Sequence, residues 1–216
     1  MTPQITGSHQ PTGPQLRDLA PFRLDTLGAI DLVCQDGSLR TVLAQPKRFA
    51  VLAYLALQSR RGFIRRDTVL SVFWPEHDQG RARTSLRQAL RFLRAAMGED
   101  VFDRRGDEEI TVRDGAVDCD VARFERAIAE RRLDAALDEY RGDFLAGFFV
   151  AGSGPELDQW LEDERGQLRQ LAMRAATTLA SHQPAFLKIR PRAFQRWPGA
   201  ATCRWINAFR PCSRPR

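Results

Sequence analysis

Long apolar runs are missing from this chain. The longest, Phe49 to Leu57, holds nine residues, about half of the roughly 18–20 that a membrane-spanning helix needs. No transmembrane segment and no membrane partner are predicted. The opening stretch MTPQITGSHQPTGPQ lacks both the basic and the apolar segments of a secretory signal. Cysteine is scarce too. Cys34, Cys119, Cys203 and Cys212 are widely spaced with no CxxC, and the 3 histidines are scattered. This excludes a disulfide scaffold or a structural zinc site and fits a reducing, cytoplasmic setting. No GxxxxGK[ST] loop is present to cradle a nucleotide. Catalytic constellations are absent as well. Glu162-Asp163-Glu164 reads as a solvated helix face, His77 as a lone loop histidine, Cys34 and Cys119 as small buried hydrophobes, and Trp160 as core. Neither an enzymatic activity nor a cofactor or metal is predicted.

Acidic side chains are missing from two stretches, between Arg81 and Arg94 and from His182 to the C-terminus. The formal net charge of +6 therefore hides a strong division. Residues 39–105 carry 14 basic and 6 acidic groups, residues 106–181 carry 9 and 17, and residues 182–216 carry 8 and none. A basic block followed by an acidic one points to a polyanionic partner for the first.

Residues 1–20, rich in Pro, Gln, Gly and Thr, read as a disordered leader. Phe22–Leu27, Ala29–Cys34 and Leu39–Leu43 have strand character, with Gln35-Asp36-Gly37-Ser38 as a hairpin turn. The Ala-rich apolar segment Pro46–Gln58 predicts a helix buried on most sides. A second, short helix is predicted from about Arg66 to Trp74, stopped by Pro75. Asp78 can cap a third that runs to Met97 and ends at Gly98.

That third helix carries the most information. Ala82, Leu86, Ala89, Leu90, Leu93 and Met97 form a core-facing stripe at helical spacing. Arg83, Arg87, Arg91 and Arg94 recur on a different side, bordered by Arg81, Thr84 and Gln88. Val101–Asp103 and Glu109–Val112 can pair as a hairpin with Arg104-Arg105-Gly106-Asp107 at its tip. A short helix, a tight connection, an arginine-lined helix and a basic hairpin are the parts of a winged helix-turn-helix. Arg can clamp phosphate or read guanine, and Gln can read adenine.

A second unit begins near Asp118. Val121, Phe124 and Ile128, then Leu133, Leu137 and Tyr140, have helical spacing. Ser153-Gly154-Pro155-Glu156 makes a capping-box start for a longer helix. Its stripe of Leu157, Trp160, Leu161, Leu168 and Leu171 is too long for the two short helices before it to cover. Self-association through this open stripe is predicted, the alternative being a partly molten, aggregation-prone helical unit beside a winged helix that still folds.

Residues 21–114 resemble the OmpR/PhoB-type winged helix, and residues 118–181 resemble the start of a bacterial transcriptional activator domain. Together they are similar to the SARP/AfsR-like regulators. The stretches carrying the resemblance are QPKRFAVLAYLAL, DTVLSVFWPEHDQGRARTSLRQALRFLRAAMGEDVF, VDCDVARFERAI, and YRGDFLAGF followed by ELDQWLEDERGQLRQLA. The fold implied is mainly α with small β elements, a winged helix-turn-helix followed by a partial tetratricopeptide-like helical domain. The function implied is sequence-specific binding of double-stranded DNA and regulation of transcription, usually activation. The helical domain would serve protein contacts, by dimerisation or by recruiting RNA polymerase.

Carried onto this sequence, the family's recognition helix falls on Arg81–Met97. Arg87, Gln88 and Arg91 become base-edge candidates, and Arg83, Thr84 and Arg94 phosphate candidates. Arg104 and Arg105 sit where the family's wing reaches the minor groove. Lys47, Arg65 and Arg66 are candidates for holding the DNA backbone, with a plain solvated role as the equal alternative. Three departures stand out. No receiver domain precedes the winged helix, the nucleotide-binding module of larger relatives is absent, and the helical resemblance stops near Ala180. Residues 182–216 are basic and irregular, with five prolines. They fit either a truncated gene with a frame-shifted tail or a genuine disordered nucleic-acid-binding extension. A second functional reading stays open, in which the chain is a helical protein-interaction module whose winged helix does not read DNA. The salt dependence of DNA binding separates the two.

Overall fold

The computed structural model describes residues 20–151 and 154–182. The predicted leader, the Ser153 cap and the basic tail lie outside the described residues, apart from positions 20 and 182. The described chain is mostly helical, with two small sheets.

The first sheet holds β1 (Phe22–Asp25), β2 (Asp31–Cys34), β3 (Gly37–Ser38) and β7 (Val117–Cys119), in the order β3-β2-β1-β7. β1 and β2 pair antiparallel from Phe22↔Cys34 to Asp25↔Asp31, and β7 joins the other edge of β1 in parallel. The sheet differs from the predicted one at its third strand. Arg40–Leu43 is a short helix, α1, and β3 ends at Ser38. Leu39, Val42 and Leu43 fall at i, i+3 and i+4, which is helical spacing, and Val42 is fully buried.

Pro46–Gln58 forms α2, buried continuously from Phe49 to Leu57. Its Pro sits at the first turn, where a missing N–H costs nothing. α3 covers Arg66–Phe73, and Pro75 follows its C-cap. α4 runs from Gln79 to Met97, with the Asp78 carboxylate accepting from the Arg81 N–H at 2.9 Å. The buried residues of α4 are the predicted stripe, Ala82, Leu86, Ala89, Leu90, Leu93 and Met97.

The second sheet has the order β4-β6-β5, with β4 at Ile64–Arg65, β5 at Phe102–Arg105 and β6 at Glu109–Val112. The hairpin tip differs from the prediction. Arg104 and Arg105 extend β5, paired with Ile110 and Glu109, and the turn is Gly106–Glu108. Gly106, at φ 58°, supplies the left-handed residue that a three-residue hairpin loop needs. β4 has only two residues, too few to show alternation in sequence.

α5 (Asp120–Ala129), α6 (Leu133–Glu139) and α7 (Pro155–His182) complete the fold. The core continues from α1–α4 and the two sheets into these helices. Tyr54 of α2 packs edge-on against Phe73 of α3 (5.5 Å between centroids) and Trp160 of α7 (4.9 Å). Trp160 in turn meets Phe144 at 5.7 Å. Gly154 lies so close to the turn after α3 that a Cβ there would overlap the Pro75 ring. The predicted open stripe on α7 is therefore closed. Leu157, Leu161 and Leu168 are buried, and Trp160 and Leu171 pack at the core edge. The basis for self-association through that stripe is gone, because α3, α2 and the 141–151 loop cover what α5 and α6 alone do not.

Glu164 corrects a second expectation. Glu162 and Asp163 are exposed, but Glu164 is only 6% exposed. It falls on the Leu157, Leu161, Leu168 face, accepts from Gln58 Nε2 at 3.3 Å, and burial pushes its carboxyl up.

One carboxylate ties the helical part to the first sheet. Asp120 accepts from the backbone N–H groups of Thr26 and Leu27, both at 2.6 Å, from Thr26 Oγ1 at 2.7 Å, and from its neighbour Val121 N at 2.8 Å. Asp120→Ala leaves three backbone donors without their acceptor, at about 1–3 kcal/mol for each that stays buried. Chemical denaturation of the variant is expected to show a loss of about 3 kcal/mol. A change smaller than about 0.5 kcal/mol, the scale of ordinary surface substitutions, would show that the carboxylate is not a structural tie.

Candidate nucleic-acid interface

The roll of α4 about its own axis follows from its buried stripe. With Ala82, Leu86, Leu90 and Leu93 facing inward, Thr84, Arg87, Gln88 and Arg91 emerge together on the opposite, exposed side. Among the described residues, the side chains of Arg87, Gln88 and Arg91 have no ion pair or hydrogen bond. The Thr84 hydroxyl donates to Gly80 O at 2.9 Å, so its oxygen remains able to accept. Arg81, with 82% of its side chain exposed, extends from the first turn beside Asp78, at 3.2 Å.

Two of the predicted arginines stand apart from that face. Arg83 leans towards α3, with its guanidinium 3.7 Å from Asp67. Arg94 is mostly covered, its guanidinium 5.8 Å from the Phe102 ring centre and 3.9 Å from Glu99. Neither acid lies within the stretch that lacks acids. The pairs form because the fold brings α3 and the segment after α4 alongside.

A cationic cluster lies where α3, α4 and the hairpin meet. Arg66 starts α3 half-buried, and its Nε is buried without a hydrogen-bond partner among the described residues. Burial lowers its pKa from the ordinary arginine value. The guanidinium groups of Arg94, Arg104 and Arg87 lower it further, against an opposing contribution from Asp107. A half-buried cation held among cations makes this corner of the surface strongly positive. Arg104 is exposed on β5. Arg105 stacks on Phe63 at 4.2 Å and approaches Glu109 at 3.5 Å. Arg65 projects from β4, 4.0 Å from Asp67.

Lys47 is separate from that cluster. Its ammonium lies 5.4 Å from the centre of the Trp74 ring, and burial lowers its pKa. Arg48, which sequence reasoning did not single out, stacks on Phe92 at 4.3 Å. Its signal was present, since Lys47 and Arg48 are consecutive cations in the first turn of α2. The thiol of Cys119 is pushed up to about 12 by its burial, which suits packing and not nucleophilic chemistry. Among the described residues, no group of three or more His, Cys, Asp or Glu side chains could hold a metal ion, and no helix is long and apolar enough to cross a membrane.

No family model matches the chain, and no curated protein matches it. Among solved structures, it is similar to EmbR of Mycobacterium tuberculosis, determined in complex with a low-affinity phosphopeptide. The TM-score is 0.51 at 20% identity, and the match covers 87% of this chain and 55% of that one. The chain thus spans about half the length of EmbR. The likeness shows that the two chains share a fold.

The strain at Arg66 has a measurable consequence. Arg66→Met removes the orphan donor and the repulsion while keeping the aliphatic stem, so the melting temperature in low salt is expected to rise. That gain should shrink as salt screens the cluster. A lower melting temperature for the variant at every salt concentration would show that Arg66 contributes net stability in place.

Proposed function

We propose that this chain is a sequence-specific DNA-binding regulator of transcription, acting as an activator. The observation that carries the reading is the face of α4. Four polar side chains, Thr84, Arg87, Gln88 and Arg91, stand exposed on a helix whose opposite side is locked in the core. A helix of this diameter fits the major groove, where Arg pairs with guanine O6 and N7 and Gln with adenine N6 and N7. Arg87, Gln88 and Arg91 are assigned to base edges and Arg81 to a flanking phosphate, and Thr84 reaches a phosphate by turning its hydroxyl proton away from Gly80 O.

The remaining cations have outer roles. Arg94 and Arg66 offer one phosphate a shared seat, and Arg83 reaches phosphate by leaving Asp67. Arg104 and Arg105 enter the neighbouring minor groove from the hairpin, and Arg65 and Lys47 hold the backbone on either side. The fold shared with EmbR supports this reading. The acidic helices α5–α7 offer protein contacts, with RNA polymerase as the partner. A homodimer through this part would need a surface other than the buried α7 stripe.

Selection of bound sites from random duplexes tests the reading. The full chain is expected to enrich a defined sequence. On that sequence Arg87→Ala and Gln88→Ala should each cost about 1–3 kcal/mol and relax preference at one position. Arg81→Ala should weaken binding to all duplexes alike and reduce the slope of log K against log salt by about 0.9. Enrichment of no sequence, with salt-insensitive binding, would favour the protein-interaction module instead.

A further inference from the structure

A cavity of about 310 Å3 opens beside the exposed face of α4. One wall is the first turn of α2, with Lys47 and Arg48. The others are Trp74, the α4 residues Ser85, Gln88 and Ala89, and Val150–Ala151 of the loop leading to α7. Among the described residues, no acidic side chain lines it. The cations are held by aromatic rings instead of carboxylates, Lys47 by Trp74 and Arg48 by Phe92, and neither has an ion pair among the described residues. The backbone adds to this bias. Pro46 has no N–H, Gln45 supplies no side-chain cap, and the first backbone bond of α2 is Phe49 N to Gln45 O, at 2.9 Å. The Lys47 and Arg48 N–H groups are therefore left to an outside acceptor.

The side of the cavity away from these cations is largely apolar, with Ser85 and Gln88 as its polar groups. Trp74, Ala89 and Val150 are buried residues whose edges form the floor. The volume is at the lower end of small-molecule sites, and about 150 Å3 suffices for a benzene ring. A bare inorganic anion would leave that floor unfilled, and a backbone phosphate on a duplex would reach only the rim.

We propose that this cavity is a binding site for a small organic anion, a flat apolar body bearing a phosphate or carboxylate. The charged group lies between Lys47, Arg48 and the start of α2, and the body lies against Trp74 and Val150. Occupancy has a consequence that rests on the DNA-reading assignment. Gln88 both lines the cavity and faces outward with Arg87 and Arg91, so a ligand that engages it withdraws a base-reading group. The ligand also adds negative charge next to the DNA surface. Bound anion therefore lowers DNA affinity, and by linkage DNA lowers the affinity for the anion.

Phenyl phosphate is the probe, titrated calorimetrically into the full chain without DNA, with inorganic phosphate and phenol as separate arms. Phenyl phosphate is expected to bind at least about tenfold tighter than either arm alone. Arg48→Gln should weaken it about fivefold or more, as loss of a charge-assisted contact does, and Ser85→Phe, which fills the cavity, should abolish it. Circular dichroism of both variants establishes that they fold. Inorganic phosphate binding as tightly as phenyl phosphate, or unchanged affinity in the folded variants, would reduce the site to a diffuse basic surface and overturn the proposal. In a second arm, saturating phenyl phosphate should weaken binding to the selected duplex in the wild-type chain and not in Ser85→Phe. Equal weakening in both would overturn the regulatory link. Absence of DNA binding by the free chain would instead overturn the DNA-reading assignment, leaving the ligand titration to stand.

Discussion

The burial of one side of α4 is the constraint on which the rest depends. Leu86, Leu90 and Leu93 are almost fully buried there, each contributing about 1.5–3 kcal/mol relative to exposure. That burial fixes the rotation of the helix. At 3.6 residues per turn, rolling it by one residue would swing the exposed face by about 100° and drive Arg83 or Arg87 into the core. Positions buried in the core thereby aim the exposed ones. Asp78 and Gly98 set where the helix begins and ends, so the arginines are also fixed along its axis.

The helical part acts as a brace for this arrangement. The Asp120 hydrogen bonds hold the start of α5 to the first sheet. Arg123 extends that tie by bridging Asp25, Asp118 and Glu139. The 141–151 loop is pinned from α7, where Arg165 donates to the carbonyls of Phe144 and Leu145 and Arg169 pairs with Asp143 at 2.7 Å. Burial pushes the Asp143 carboxyl up, but the bonds from Arg169 and Tyr140 outweigh it and hold the group below its ordinary value. Because this loop walls the cavity beside Gln88 while α7 packs on α3, the acidic half is mechanically joined to the basic half. A contact made on one is thus in a position to bias the other.

Helices α2, α3 and α4 were legible because their apolar residues recur at helical spacing and their ends carry Pro46, Asp78 and Gly98. The exposed face of α4 was legible for the same reason, as the complement of a strong stripe. The errors have separate physical origins. Leu39–Leu43 is too short for its i, i+3, i+4 spacing to stand out from alternation. Glu164 is flanked in sequence by charged Glu162, Asp163 and Arg165, although its spacing from Leu157, Leu161 and Leu168 places it on the buried side. The α7 stripe exceeds what α5 and α6 alone can cover, and its cover includes Tyr54, roughly 105 positions earlier. The Arg83–Asp67 pair and the strained Arg66 site likewise arise from tertiary proximity, which no local window contains.

The central claim, that the exposed face of α4 reads base edges in the major groove, is tested most directly by guanine N7 methylation interference on a selected duplex. N7 lies in the major groove, within reach of an arginine fork. Methylation at guanines within the site is predicted to block binding, and Arg87→Ala is predicted to erase the interference at one position while leaving it at the others. Binding that tolerates N7 methylation throughout the site would contradict the account.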